Sequence, residues 1–212
     1  MAAKTKFRRT RPQSLAENCK QKKTGAGHPT GRVSKHQWLA AALDVLASEG
    51  IESVRVAELA RTLRISKSGF YWHFRNRDEL LEEMKAYWVD EYSKQIMSEV
   101  LDQDAPIQKR LLNLVLLIRT KQAGKYDLAF TSWAKRDPLV HELLDQVRDM
   151  RIKFVKRLLS NEFRHGDDLE ARARLFVVYF SWSEVMFRQA DTALEGEPLD
   201  KIIEIIAGAT DH

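Results

Sequence analysis

The sequence predicts an all-α protein of about nine helices, with a small N-terminal head of three helices and a larger helical body. Two observations carry this. Apolar residues recur at i, i+3, i+4 and i+7 in one stretch after another, and hydroxyl, carboxylate, amide, Gly or Pro residues stand where such stretches begin and end. No segment alternates apolar and polar residues as a half-buried strand would, and no internal repeat is present. With 212 residues the chain is long enough for a substantial core.

Ser34 and Gln37 have the spacing of a capping box, and Leu39, Ala42, Leu43 and Leu46 follow at helical spacing until Gly50. Val56, Leu59, Ala60 and Leu63 form the apolar face of a second helix that turns Arg55, Glu58 and Arg61 to water. Arg64 and Ile65 leave room only for a turn, and a left-handed residue without glycine there costs roughly 1 kcal/mol. The Ser66 hydroxyl is expected to cap the next helix, which Phe70 and Phe74 anchor inward. Asn76 and Glu79 form a second predicted capping box. From Arg77 the stripe Leu80, Leu81, Met84, Tyr87, Trp88, Tyr92 and Met97 runs without Gly or Pro, predicting one rigid helix to about Leu101. Asp104 is expected as an N-cap with Pro106 in the first turn of a helix carrying Leu111, Leu112, Val115 and Ile118 toward Gly124. A shorter helix is expected at 126 to 135, then a long one capped by Asp137 and Pro138 and reaching about Phe163. A loop at 165 to 168 precedes helices near 169 to 190 and 199 to 208.

Charge is unevenly placed. Residues 1 to 33 hold nine Lys and Arg against Glu17 alone, a local +8 that leaves the remainder at −3 of the total +5. The expected domains are therefore a basic, disordered arm at 1 to 33, a head at 34 to 81 and a body at 82 to 212. The arm suits the phosphate backbone or the minor groove of a duplex; a solvated extension with no specific role is the alternative. The single Cys19 excludes an intramolecular disulfide and a cysteine zinc site, no apolar run reaches membrane length, and no signal peptide is expected of a start punctuated by Lys4, Lys6, Arg8, Arg9 and Arg11. A cytoplasmic protein without membrane partner is expected.

The outward face of the segment after Ser66 comprises Lys67, Ser68, Gly69, Tyr71, Trp72 and His73. Small residues permit close approach to a duplex, hydroxyls and amides bond phosphates or base edges, and Lys67 adds charge. The stretch from Ile65 to Leu81 resembles the helix-turn-helix signature of the TetR family of bacterial transcriptional regulators. Residues 41 to 50 resemble that family's first helix and its terminal glycine, and the likeness is specific over about 34 to 84. Two departures stand out: Arg64 occupies the turn where the family usually has glycine, and Ser68-Gly69 reverses the usual order of glycine and hydroxyl residue. The resemblance implies DNA contacts by Arg55, Ser66, Lys67, Ser68, Gly69, Tyr71, Trp72, His73 and Arg77. Within that set Tyr71, His73 and Arg77 correspond to phosphate-binding positions.

In the body, the helix near 169 to 190 is apolar on more than one side. Leu175, Val178, Tyr179, Trp182 and Met186 form one stripe, and Phe176, Phe180 and Phe187 form a neighbouring one. Such a helix needs covering on two sides, and a second copy of the chain supplies the second cover. Phe176, Phe180, Trp182, Phe187, Ile202 and Ile206 are the expected dimer contacts; closure of a monomeric core is the alternative. The resemblance further implies an effector pocket in the body, for which Tyr126, Phe130, Trp133, Arg151, Phe154 and Tyr179 are candidates. Arg151 lies on the apolar side of its helix and needs a carboxylate, either from the chain or from a ligand. His141, Glu142 and Asp145 have metal-ligand spacing but fit a solvated face, so no metal and no cofactor are expected.

Gly-rich phosphate loops, a Gly-x-Ser-x-Gly elbow and His-Glu-x-x-His are absent, and no enzyme is expected. The expected function is a ligand-released repressor that binds a palindromic operator as a homodimer. The alternative is an interaction or activator protein of the same build without effector-released repression.

Overall fold

The computed structural model describes residues 33–101, 103–160, 168–186 and 197–208, with backbone alone at 182–186 and 197–198. The arm, Cys19, Phe187 and the loop at 165 to 167 lie outside the described residues, as does the side chain of Trp182. Among the described residues the structure is all helical: α1 (Lys35–Glu49), α2 (Val56–Thr62), α3 (Arg77–Val89), α4 (Gln95–Leu101), α5 (Ile107–Thr120), α6 (Ala123–Ala134), α7 (Pro138–Leu159), α8 (Asp168–Met186) and α9 (Glu197–Ala207). Short 3₁₀ turns at Ile51–Ser53 and Lys67–Trp72 complete the head, and no described helix is long and apolar enough to cross a membrane.

The local signals explain most boundaries. Ser34 and Gln37 form both halves of the capping box on α1, and Gly50 ends that helix at φ 84°. Arg64 takes the left-handed turn at φ 56°, letting the Ile65 amide reach back to Ala60 O. Asp137 accepts from the amides of Leu139 and Val140 at the start of α7. Other expectations are corrected. The Ser66 hydroxyl makes no cap bond and instead pairs with Ser68 Oγ at 2.7 Å, and the segment it opens is a tight 3₁₀ helix. Asn76 does cap α3 through the Glu79 amide, but Glu79 Oε2 accepts from the Arg75 amide, so only half the box forms. Pro106 itself occupies the N-cap of α5. Gln122, at φ 51°, makes the turn between α5 and α6, while Gly124 is buried inside α6. Helix α7 ends at Leu159, short of Phe163.

The predicted rigid helix from Arg77 to Leu101 is continuous but not uniform. Asp90–Lys94 is a π turn, in which the Gln95 amide donates to Asp90 O five residues back. The buried positions show why: Leu80, Met84 and Trp88 are four apart, then Ser93 follows after five, then Ile96 and Val100. One extra residue per turn shifts the buried face by about 100°. Tyr92, which continues the four-residue stripe in the sequence, is thereby only half buried.

Two cores result. The first joins Trp38, Leu43, Phe70, Phe74 and Leu80 of the head to Trp88 of α3 and to Phe130, Trp133, Val140 and Leu144 of α6 and α7. Its centre is a stack, with Phe130 4.0 Å from Trp88 and 5.6 Å from Trp133. The second joins α4 and α5 to the C-terminal half of α7 and to α8 and α9. Arg172 on α8 donates to the carbonyls of Ile205 and Ile206, satisfying backbone acceptors that the end of α9 leaves open.

Candidate nucleic-acid interface and body cavity

The 3₁₀ segment is built on a buried aromatic base. Phe70 and Phe74 lie 5.1 Å apart against Trp38, which fixes the opposite face outward. On that face Tyr71 is 64% and Trp72 71% exposed, beside exposed Lys67 and Ser68. Gly69 lies between them, half buried, and a Cβ there would sit 3.5 Å from Ile65 Cδ1 in ordinary contact. The position faces Ile65 and the buried Trp38, with room there for a methyl group. Ser66, Lys67, Ser68, Tyr71 and Trp72 thus form one exposed polar and aromatic surface.

The other head residues singled out from the sequence are placed differently. His73 Nε2 is 2.8 Å from Val33 O, so this nitrogen carries the proton and donates to the start of the head. Arg77 donates through Nε to Val54 O (2.6 Å) and through Nη2 to Ile51 O (2.8 Å), tying α3 to the 3₁₀ turn after α1. Arg55 is the N-cap of α2, exposed, with Nε on Glu52 O at 2.6 Å. His73 and Arg77 brace the head from the side, and the sequence alone does not show it because all three acceptors are backbone carbonyls. Further ties hold α1 to α3: Lys35 pairs with Glu83 at 2.5 Å and Tyr87 with His36 at 3.0 Å.

A cavity of about 50 Å³, partly open to solvent, lies in the body among α4 to α8 and the π turn. Arg151 and Phe154 line it, with Ile96, Leu114, Phe176 and Phe180 among the apolar walls. Tyr126, Phe130 and Trp133 do not line it; they belong to the core shared with the head, because α6 turns that face toward α1 and α3. Tyr179 packs edge-on to Phe180 outside the lining. The carboxylate that Arg151 requires is Asp127, at 2.5 Å from Nη1 to Oδ2 and 3.1 Å from Nη2 to Oδ1. Ser93 in the π turn accepts from Nε (3.1 Å) and Nη2 (2.8 Å) of the same guanidinium. His141 pairs with Asp145 at 3.5 Å on an exposed face.

The apolar stripes of α8 are also redistributed. Phe176 and Phe180 are buried in the chain's own second core, as is Ile206, and Ile202 is half buried. Open to solvent instead are Leu175 (61%), Val178 (60%) and, on α9, Ile205 (65%). The apolar circumference of α8 hides its phase: both stripes have helical spacing, and only packing decides which one faces inward.

Residues 39–84 match the family of bacterial regulatory proteins, tetR family. Over these residues the chain is similar to the TetR family. No curated protein sequence matches it. Solved structures share the fold over most of the chain. A transcriptional regulator from Rhodococcus sp. RHA1 is 20% identical with a TM-score of 0.64, over 83% of this chain and 95% of that one. FadR from Bacillus subtilis, in complex with stearoyl-CoA, is 13% identical with a TM-score of 0.59, over 84% and 100%. AibR, in complex with isovaleryl coenzyme A and operator DNA, is 21% identical with a TM-score of 0.56, over 82% and 97%.

Proposed function

We propose that this chain is a TetR-family DNA-binding transcriptional regulator that acts as a homodimer on a palindromic operator and is released when a small apolar or amphipathic molecule enters the body cavity. The observation that carries the reading is the exposed face of Lys67, Ser68, Tyr71 and Trp72 over its buried Phe70 and Phe74 base. Large aromatics at such exposure are costly in an isolated surface and useful against a duplex, where tyrosine bonds phosphate and tryptophan meets base edges or methyl groups. Lys67 and Ser68 are assigned to base readout, Tyr71 to phosphate, and Ser66 and Gly69 to close approach. Arg55 flanks this surface, and His73 and Arg77 hold it in place. The second protomer is assigned to the apolar surface of Leu175, Val178 and Ile205, which adjoins the α8–α9 pair that Arg172 locks together. Acyl-CoA ligands of the structural neighbours FadR and AibR make acyl compounds the first effector class to examine.

Gel shifts against genomic fragments flanking the gene test the reading. A specific fragment is expected to bind with steep salt dependence, about −0.9 in log K per log salt for each phosphate contact. Lys67→Ala is expected to flatten discrimination between operator variants, and Tyr71→Phe to weaken all sequences alike. Equal binding to every fragment by the wild type, with no effect of either change, would refute it.

A further inference from the structure

We propose that the body cavity selects an uncharged ligand, an apolar chain bearing one hydrogen-bond acceptor, and that Asp127 is the residue that rejects carboxylates. The inference rests on the assignment of this cavity as the effector site. Its walls are apolar apart from Ser93, Asp127, Arg151, Ser181 and the Tyr92 phenol. The charged pair on the wall is thus self-neutralising: Asp127 takes two of the guanidinium donors, and both side chains are largely buried. A ligand carboxylate could bond Arg151 only by displacing Asp127, which would leave one of the two carboxylates in an apolar wall without its counter-charge.

What the wall offers instead is hydrogen-bond donors. Ser93 is 2% exposed and its oxygen already accepts twice from Arg151, so its own proton has no acceptor among the described residues. Arg151 Nη1 carries two protons, and one of them goes to Asp127 Oδ2. A ketone, ester or thioester carbonyl placed beside Ser93 accepts the hydroxyl proton at no cost in charge. The donors lie at the π turn, so the ligand's polar end contacts the helix that continues into the head.

The test is calorimetric titration of the full-length, DNA-free protein with two ten-carbon probes, 2-decanone and decanoate, at neutral pH. Wild type is expected to bind 2-decanone about tenfold more tightly than decanoate, the penalty of burying an unmatched charge. Asp127→Asn keeps the shape and leaves Arg151 unneutralised, so the preference is expected to invert by about tenfold. Ser93→Ala is expected to weaken 2-decanone about fivefold and leave decanoate unchanged. Equal or tighter binding of decanoate by wild type overturns the proposal, as does binding of neither probe, or an unaltered preference in an Asp127→Asn protein whose circular dichroism is native. Should Asp127→Asn fail to fold, the wild-type ratio and Ser93→Ala decide the matter. Gel shifts on the same preparation report separately on DNA binding, so loss of the charge filter and loss of the regulator reading are distinguishable.

Discussion

Arg77 offers a sharp choice between holding the head together and holding DNA. Removing its guanidinium in Arg77→Ala deletes two bonds, to Val54 O at 2.6 Å and Ile51 O at 2.8 Å. A hydrogen bond to a charged group contributes about 1.5–3 kcal/mol, and the site is half buried, so the lower end applies and the pair contributes about 3 kcal/mol. For a chain of this size each kcal/mol corresponds to roughly 2–4 °C, giving an expected fall in Tm of about 6–12 °C. Arg77→Lys keeps the charge but cannot span both carbonyls, so it is expected to lose most of the same stability. Differential scanning calorimetry measures that part. The second measurement is the salt dependence of binding to a duplex. A brace leaves the slope of log K against log salt unchanged in both variants, whereas a lost phosphate contact lowers it by about 0.9 in Arg77→Ala alone. A Tm within a degree of wild type together with a slope reduced by one contact would refute the brace.

Three further outcomes are expected. Leu175→Glu or Val178→Glu is expected to give a monomer with lost operator binding, whereas a wild type that sediments as a monomer at micromolar concentration would remove the basis for that interface. Burial, with hydrogen bonds to Tyr92 and Asp44, pushes the Tyr126 phenol well above the usual tyrosine range. Above pH of about 10 the unfolded chain ionises this group and the folded chain does not, so stability is expected to fall as pH rises, and less steeply in Tyr126→Phe, as urea midpoints between neutral and high pH would show. Deleting residues 1 to 30 removes eight of the nine basic residues of the arm, and is expected to lower duplex affinity and the salt slope without changing Tm; unchanged titrations would make the arm a passenger.

The head was legible in the sequence because its signals are local. Ser34, Gln37 and Gly50 bound α1 by side-chain and backbone chemistry within a few residues, and Arg64 takes its turn because the spacing of Leu63 and Ser66 leaves no alternative. Where a partner comes from far away or from the backbone, legibility ends. Asp127 lies 24 residues before Arg151, and the carbonyls that hold Arg77 and His73 have no residue signature. The π turn was hidden for a related reason: Tyr92 sustains the four-residue rhythm on paper, and only the packing of Ser93 under Arg151 reveals the added residue. Gln122 took the left-handed turn that Gly124 suggested, because Gly124 is needed as a small residue inside α6. On α8, the two stripes are equally apolar, so the assignment of Phe176 and Phe180 to a partner surface had no local signal to correct it.

The position of α6 has a mechanical meaning. Asp127 points into the cavity wall, and its neighbour Tyr126 donates to Asp44 of α1 at 2.8 Å, with Lys125 on the same carboxylate at 2.9 Å. Successive residues project about 100° apart around a helix, so α6 carries the cavity wall on one flank and its tie to α1 on the adjacent one. The cavity wall and the tie to α1 are thus one residue apart in α6, a shorter path than the one along the helix with the π turn.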